Sequence, residues 1–205
     1  MRESNNIAAA PRSRTSQGAA VLKSPREIEL MRAAGRVVHA VLQKMRGMVH
    51  PGLRTIELGR EAESVIRTAG AEPLFKGVSS NSTKFPFPAA VCVSVNEQVV
   101  HGIPGDRDLR EGDIVSVDCG VRLKGYCGDA ATTLPVGRIN PEIQRLLDCT
   151  SAALDLAVSE MRPGRYWSEL ASVVQRFVEA AGFSVVRDFV GHGIGQEMHE
   201  EPKVP

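Results

Sequence analysis

Apolar and polar residues alternate with a helical period in four segments of the chain, arranged as two pairs. The first helix is predicted to begin at residues 24–27 (SPRE), which read as a capping box with proline at the first helical position. It should end at residues 50–52 (HPG), and a second helix should run from near residue 55 to residue 70. The second pair is predicted from residue 141 to about 161 and from about 167 to 181.

The segment between the two helical pairs has the pattern of β-strands. Apolar runs at residues 90–95, 113–119 and 126–134 are punctuated by glycine and proline, which is typical of strands joined by turns. Residues 120–126 form a short connection, so the last two runs are predicted to pair as a hairpin. A later apolar run at residues 183–190 is expected to present an unpaired sheet edge.

The second helical pair repeats the first. The residues that recur at an offset of 112 positions are Pro51-Gly52 with Pro163-Gly164, Glu57-Leu58 with Glu169-Leu170, Val65-Ile66 with Phe177-Val178, and Ala69-Gly70 with Ala181-Gly182. Two unrelated amphipathic helices would share apolar spacing, but they need not share the Pro-Gly before the helix, the Glu-Leu within it and the Gly after it. We therefore favour an internal duplication over chance similarity. The chain is then two α+β halves, and the second counterpart of the hairpin would fall at residues 225–246, beyond residue 205.

Composition argues against several classes of protein. Lys and Arg number 25 against 24 Asp and Glu, and no basic stripe stands out, so an electrostatic case for nucleic-acid binding fails. A hydrophobic content of 42% is typical of globular proteins, and every apolar run is shorter than the roughly 18 residues that span a bilayer. The four cysteines include no CxxC pair, which predicts a reducing, cytoplasmic location rather than a disulfide scaffold.

The first 22 residues are polar, rich in Ser and Ala, and carry no apolar period. We predict that residues 1–22 form a disordered tail ahead of a domain over residues 23–205. An organelle transit peptide is the alternative, because the segment holds three arginines and a single acidic residue.

Asp118 and Asp129 are the strongest chemical signal in the chain. If residues 123–124 form a two-residue loop, the numbers of any two paired residues add up to 247. Asp118 and Asp129 then lie directly opposite each other. Cross-strand Cβ atoms are about 5 Å apart, where two carboxylates repel by about 3 kcal/mol at an effective dielectric of about 20. A partly buried pair needs a cation or a shared proton, which favours a metal site over the alternative of a solvated turn.

Three histidines lie in glycine- or proline-rich surroundings. Glycines flank His192 in residues 189–195 (FVGHGIG), which would let the backbone approach a ligand closely and leave a neutral imidazole to bind a metal. His101 precedes Gly-Ile-Pro, and His199 precedes Glu-Glu-Pro. Aspartate and histidine together suit Mn, Fe, Co or Zn better than Ca or Mg. The alternative for each histidine is a structural role in its turn.

These motifs occur together in the order and spacing of the type I methionine aminopeptidases, which the chain resembles from about residue 22 to its end. The segments that carry the resemblance are residues 99–104 (VVHGIP), 117–120 (VDCG), 128–131 (GDAA), 191–195 (GHGIG) and 199–202 (HEEP). The resemblance implies the α+β pita-bread fold, in which two pseudo-symmetric halves hold a dinuclear metal centre between them. In this chain the second half is expected to be truncated.

The resemblance also implies roles for individual residues. Asp118, Asp129 and His192 resemble metal ligands, with Asp129 as the carboxylate that bridges two divalent ions. His101 and His199 resemble the two histidines that contact the scissile peptide without binding metal, so both are expected to be catalytic and to bind substrate. The ions implied are Co, Mn, Fe or Zn.

Three apolar residues are expected to line the pocket for the substrate side chain. Cys92 resembles a wall of the methionine pocket in that family. Phe87 stands where a tyrosine is common, and Met198 stands where a phenylalanine is common. Because both remain apolar, selectivity for a thioether is expected to survive.

The two remaining ligands of the family are glutamates, one of which is also the general base, and the resemblance places both beyond residue 205. Glu197, Glu200 and Glu201 match positions that do not bind metal. We therefore expect the 205 residues by themselves to be incomplete as an aminopeptidase.

The sequence thus predicts metal-assisted hydrolysis of the first peptide bond of nascent proteins that begin with methionine and a small second residue. The expected partners are nascent N-termini at the ribosome, with no nucleic acid or membrane, and the expected state is a monomer. A proline-specific peptidase of the same fold and a non-catalytic pita-bread binding module remain as alternatives.

Overall fold

The structure is a computed structural model that describes residues 20–79 and 84–204. Its elements in chain order are α1 (Pro25–Met48), α2 (Thr55–Thr68), β1 (Glu72–Pro73), β2 (Cys92–Val95), β3 (Ile114–Leu123), β4 (Tyr126–Pro135), α3 (Pro141–Glu160), α4 (Trp167–Ala180), β5 (Gly191–Gly193) and β6 (Glu200–Val204). All four predicted helices are confirmed to within about two residues at each end. Most of the tail predicted over residues 1–22 lies outside the described residues.

Helix α1 begins where the capping box predicts. The backbone N–H of Glu27 donates to the Ser24 hydroxyl at 3.4 Å, and the Glu27 carboxylate accepts from the Ser24 backbone N–H at 2.7 Å. These two bonds satisfy donors that a helix N-terminus otherwise leaves without partners. The face of α1 that points toward the sheet is buried, and its members are Ala34, Val37, Val38, Val41 and Met45.

Strand β3 is the centre of a four-stranded antiparallel sheet. It pairs with β1 and β2 along one edge and with β4 along the other. Its odd-numbered residues, Val115 to Val121, are fully buried in a core that also contains the apolar faces of α1 and α2. Because successive strand side chains point to opposite faces, the even-numbered residues of β3 lie on the other face of the sheet.

The predicted register of the β3–β4 hairpin is wrong by two residues. Leu123 pairs with Tyr126, so the loop is Lys124-Gly125 rather than residues 123–124. Lys124 and Gly125 have φ angles of 53° and 83°, and positive φ at both central positions is the geometry of the type I′ turn that matches strand twist. Glycine at the second loop position therefore decides the register.

The duplication is visible in the backbone. Helices α2 and α4 have 14 residues each and begin 112 positions apart. In both helices, the side chain of the third residue, a glutamate, accepts a hydrogen bond from the backbone N–H of the residue that precedes the helix. Glu57 accepts from Arg54 at 3.0 Å, and Glu169 accepts from Tyr166 at 3.3 Å. The two halves therefore repeat a local structure as well as a sequence pattern.

The second half is less covered than the first. Among the described residues of α3 and α4, only Ala153 and Leu170 are buried. The strand edge predicted at residues 183–190 is wrong, because these residues form no strand in the structure. The strand pair in this region is β5 with β6, which form a separate two-stranded antiparallel sheet.

Candidate functional site

The face of the sheet that points away from α1 carries the predicted metal ligands. Cys92 in β2 lies opposite Asp118 in β3, and Asp129 in β4 lies opposite Gly120. Asp118 and Asp129 are therefore diagonal neighbours on one face. The prediction that they pair directly is wrong. The prediction that both carboxylates lie on one face is confirmed, because Asp129 pairs with Gly120, and residues two apart in a strand, such as Asp118 and Gly120, share a face.

The two aspartates perturb each other strongly. Burial, together with the neighbouring charge of Asp129, raises the pKa of Asp118 to about 6. Burial also raises the pKa of Asp129, although the nearby His192 ring opposes that shift. Two carboxyl groups this close in a partly desolvated site cannot both ionise freely, so one proton or one cation is needed between them.

His192 and His199 reach the aspartates from the second half of the chain. His192 lies in β5, His199 precedes β6, and their ring centroids are 4.2 Å apart. Either ring opposes the rise that burial causes in the pKa of Asp129, and the His192 ring also opposes the rise in the pKa of Asp118. Nδ1 of His192 is 3.0 Å from the carbonyl oxygen of Gly193. An Nδ1–H donor in that contact would leave Nε2 as a metal-binding atom.

The glycines beside His192 allow a close approach between strands. A Cβ on Gly191 would lie 2.4 Å from a methyl of Val204, and a Cβ on Gly193 would lie 2.5 Å from the carbonyl oxygen of Glu201. Both neighbours belong to β6. In this structure the glycines therefore permit β5 to pack against the chain's own backbone, which fixes where His192 stands.

His101 lies in a loop that is fastened to β2. The N–H of Gly102 donates to the Ser94 hydroxyl at 3.0 Å, and its carbonyl oxygen accepts from the N–H of Val93 at 2.8 Å. His101 itself has a φ of 60°, a left-handed conformation that is uncommon for residues other than glycine. The loop thus holds an exposed histidine next to β2, the strand in which Cys92 pairs with Asp118 of β3.

The predicted pocket residues differ in their surroundings. Cys92 is only 4% exposed, and burial, followed by the charges of Asp118 and Asp129, raises the pKa of its thiol to about 12. The thiol is thus protonated near neutral pH and unsuited to act as a nucleophile. Phe87 and Met198 are half-buried. Phe87 lies in the loop before β2, and its backbone exchanges hydrogen bonds with Gly77 and Val78 at 2.8 Å each.

Sequence reasoning missed one apolar residue on this face. The ring of Phe75 covers Gly120, where an added Cβ would lie 2.7 Å from the ring carbon Cε1. Gly120 is the register partner of Asp129, so Phe75 stands beside the aspartate pair. A glycine in the middle of a predicted strand was the available signal, because it often marks a place where another group approaches the backbone closely.

The donor chemistry of the face fits a divalent ion, although the ligands are not preassembled. Two carboxylates and an imidazole are typical ligands of Mn, Fe, Co and Zn. Within residues 20–79 and 84–204, however, no group of three or more His, Cys, Asp or Glu side chains is arranged to hold a metal ion. The set Asp118, Asp129 and His192 therefore stays a prediction. Glu197 and Glu200 are engaged elsewhere, in ion pairs with Arg122 and Lys23.

The amino-acid sequence is similar to those of known metallopeptidases. Residues 29–205 match the family model described as Metallopeptidase family M24. The chain is 44% identical to methionine aminopeptidase 1 of Bacillus subtilis and 45% identical to a methionine aminopeptidase of Clostridium perfringens, each over 185 residues. Each alignment covers 90% of this chain and 72% of the relative.

Solved structures show the same similarity in three dimensions. Methionine aminopeptidase from Thermotoga maritima superposes with a TM-score of 0.84 at 38% identity, covering 89% of this chain and 72% of that one. Prolidase from Pyrococcus furiosus gives a TM-score of 0.74 at 23% identity, covering 89% of this chain and 51% of that one, which shows a shared fold only. The predicted pita-bread fold is confirmed by these neighbours.

Proposed function

Because the chain belongs to metallopeptidase family M24, we propose that it removes the N-terminal methionine from proteins whose second residue is small, by metal-dependent hydrolysis. The observation that carries this proposal is 44–45% identity to curated methionine aminopeptidases over 90% of the chain. The aspartate pair of β3 and β4 adds a physical reason, because two half-buried carboxyl groups in contact are suited to bind a cation.

The proposed cofactor is a pair of divalent ions, drawn from Mn, Fe, Co and Zn. Asp118, Asp129 and His192 would hold them, with the two carboxylates compensating half of the positive charge of the two ions. When bound, such ions act as Lewis acids toward a peptide carbonyl and provide a nucleophilic water near neutral pH.

The two remaining histidines are proposed to act on the peptide. His101 lies in the loop before β3, which is hydrogen-bonded to β2, and His199 lies in the segment before β6 with its ring beside that of His192. An imidazole N–H from each can donate to the scissile peptide group as negative charge develops on its oxygen. The exposed positions of both rings leave them accessible to a substrate.

The apolar residues on the same face are proposed to select the methionine side chain. Cys92 and Phe75 provide a buried thiol and an aromatic ring next to the aspartates, and a thioether packs favourably against both. Phe87 and Met198 are half-buried and would complete the walls of this pocket.

A proline-specific peptidase is the second candidate, and its support is a shared fold with neighbours such as the prolidase at 23% identity. A binding module without catalysis is a third, and the presence of Asp118, Asp129 and His192 argues against it. Release of methionine from a Met-Gly-x peptide, cleavage of an x-Pro dipeptide and the metal content of the purified protein separate the three. Methionine release with bound metal supports the proposal, and x-Pro cleavage alone would replace it.

The proposed substrates are nascent N-termini at the ribosome, handled by a monomer in the cytoplasm without nucleic-acid binding. All four cysteines are free thiols, as expected in a reducing compartment. Within the described residues, none of the helices combines the length and the apolar character needed to cross a membrane. Light scattering and ribosome co-sedimentation test the monomer and the ribosome contact.

The expected glutamate ligands define a separate experiment. The 205 residues are assayed beside a version extended by about 50 residues of natural coding sequence, enough for a hairpin and a helix. We expect turnover from the longer version and little from the 205 residues, because three protein ligands hold two ions poorly. Equal turnover by the two versions would contradict the assigned ligand set.

A further inference from the structure

The segment of residues 195–200, which carries His199, is fastened to the β3–β4 hairpin at three points. The N–H of Cys127 donates to the carbonyl oxygen of Gly195 at 2.7 Å, and the Cys127 thiol donates to the carbonyl oxygen of Gln196 at 3.3 Å. Arg122 donates to the Glu197 carboxylate at 3.2 Å. These contacts place the segment alongside the strands that bear the aspartates.

The same segment is also tied to the start of α1 by an ion pair. The ammonium group of Lys23 contacts the Glu200 carboxylate, and the two side chains are only 15% and 18% exposed. Glu200 also accepts from the backbone N–H of Glu197 at 3.1 Å. Gly195 makes room for this pair, since a Cβ there would lie 2.5 Å from both Lys23 Cε and a Glu200 carboxylate oxygen.

A second connection to α1 runs through a buried tyrosine. The hydroxyl of Tyr126 donates to the Glu27 carboxylate at 2.9 Å and accepts from the side-chain amide of Gln196 at 3.0 Å. Tyr126 is only 9% exposed, so packing fixes the position of its ring. Glu27 is itself held by the capping box with Ser24, which makes the helix start a rigid anchor.

We propose that these five residues, Lys23, Glu27, Tyr126, Gln196 and Glu200, form a latch that positions His199 beside His192 and Asp129. Gln196 and Glu200 flank His199 closely on either side, so anchoring both of them restricts the backbone that carries the ring. His199 is exposed, and core packing therefore does not hold its side chain.

The latch residues are positioning residues and not catalytic ones, since they act through the backbone of residues 195–200. This role goes beyond the proposed function, which assigns no part to the five latch residues. It joins the helix that directly follows the N-terminal segment to the opposite half of the chain, 177 residues away in sequence.

The histidine ring signals in the NMR spectrum of the 205-residue chain test the latch. The chain has five histidines, and His39 and His50 lie exposed on and just after α1, away from the latch. K23M removes the ion pair, and Y126F removes one hydroxyl while keeping the buried ring. K44M is the matched control, because it removes an ion pair of α1 with Glu61 that is remote from His199.

We expect the His199 and His192 signals to shift or broaden in both K23M and Y126F, while those of His39 and His50 stay in place. K44M should leave all five signals unchanged, and K23R, which keeps the positive charge, should restore the wild-type positions of His199 and His192.

Unchanged His199 and His192 signals in both variants would overturn the latch. A shift of all five signals would also overturn it, since it would show a general loss of structure and not a local one. If K23M fails to fold, as judged by circular dichroism, Y126F alone decides. The readout needs neither metal nor peptide turnover, so a failure of the proposed enzymatic function leaves this test intact.

Discussion

Asp118 and Asp129 lie two register positions apart across the β3–β4 hairpin, yet the charge of Asp129 adds to burial in raising the pKa of Asp118. The residues directly opposite them are small, Ala131 across from Asp118 and Gly120 across from Asp129. The two acidic side chains can therefore lean toward each other on the sheet face, beside the Phe75 ring that covers Gly120. Placing two carboxyl groups together in a half-buried site costs stability, which a bound cation or a shared proton can restore.

The first prediction concerns stability and pH in metal-free buffer. The pKa of Asp118 is about 6 in the folded chain, against 3.8 as its ordinary value. Between about pH 4 and 6 the folded state binds more protons than the unfolded state, so this group lowers stability as pH rises. D118N removes the effect. The Tm of D118N minus that of the wild type should be near zero at pH 4 and should grow toward pH 7, and a difference that is constant with pH would refute the assignment.

The second prediction concerns metal binding. Mn²⁺ or Co²⁺ should raise the Tm of the wild-type chain at pH 7, because a ligand at 100 times its Kd stabilises the folded state by about 2.7 kcal/mol. D129N should lose most of this increase. D155N, which changes an exposed aspartate on α3, is the control and should retain it. Equal increases for D129N and D155N would show that the ions bind elsewhere.

The third prediction separates the catalytic histidines from the metal ligands. In the natural full-length protein, H101A and H199A should each lower kcat, by about 100-fold for loss of a donor to a developing oxyanion. Metal stoichiometry should stay nearly unchanged, because neither ring is assigned as a ligand. Mass spectrometry of each variant measures its metal content, and the same preparation is assayed for kcat. A loss of bound metal in either variant would reassign that histidine.

The fourth prediction tests the contact between α1 and the sheet. A Cβ on Gly128 would lie 2.8 Å from backbone atoms of Ala34 and Gly35, which cannot move without displacing α1. G128A should therefore lower the free energy of unfolding by about 1–3 kcal/mol. G35A is the matched control, since no atom lies within 4 Å of a Cβ there and alanine favours helix by about 0.5–1 kcal/mol. Urea unfolding of both variants measures the two effects, and a stable G128A would contradict the close packing.

Local sequence signals were sufficient for the helices. The capping box at residues 24–27 and the glycines after α2 and α4 mark helix ends through contacts within a few residues, and such contacts can be read from the sequence. The duplication was also predictable, because both copies repeat the same local hydrogen bond at the helix start.

The register of the hairpin follows from a local signal, Gly125 at the second loop position, which the predicted loop at residues 123–124 did not use. The surroundings of the site, in contrast, depend on longer-range packing. Phe75 over Gly120 and Lys23 against Glu200 join residues far apart in the sequence, and no local pattern encodes their meeting. The strand predicted at residues 183–190 is not formed, because apolar alternation becomes a strand only where a second strand pairs with it.

The release of methionine from a Met-Gly-x peptide by the natural full-length protein tests the central claim most directly. Wild type and D155N should release methionine in the presence of Mn²⁺ or Co²⁺, and a chelator should abolish the release. D129N should be slower by more than about 100-fold, beyond the loss caused by a residue that only orients a metal ligand. Release that persists with the chelator, or that proceeds in D129N at the wild-type rate, would contradict a metal-dependent aminopeptidase built on the aspartate pair.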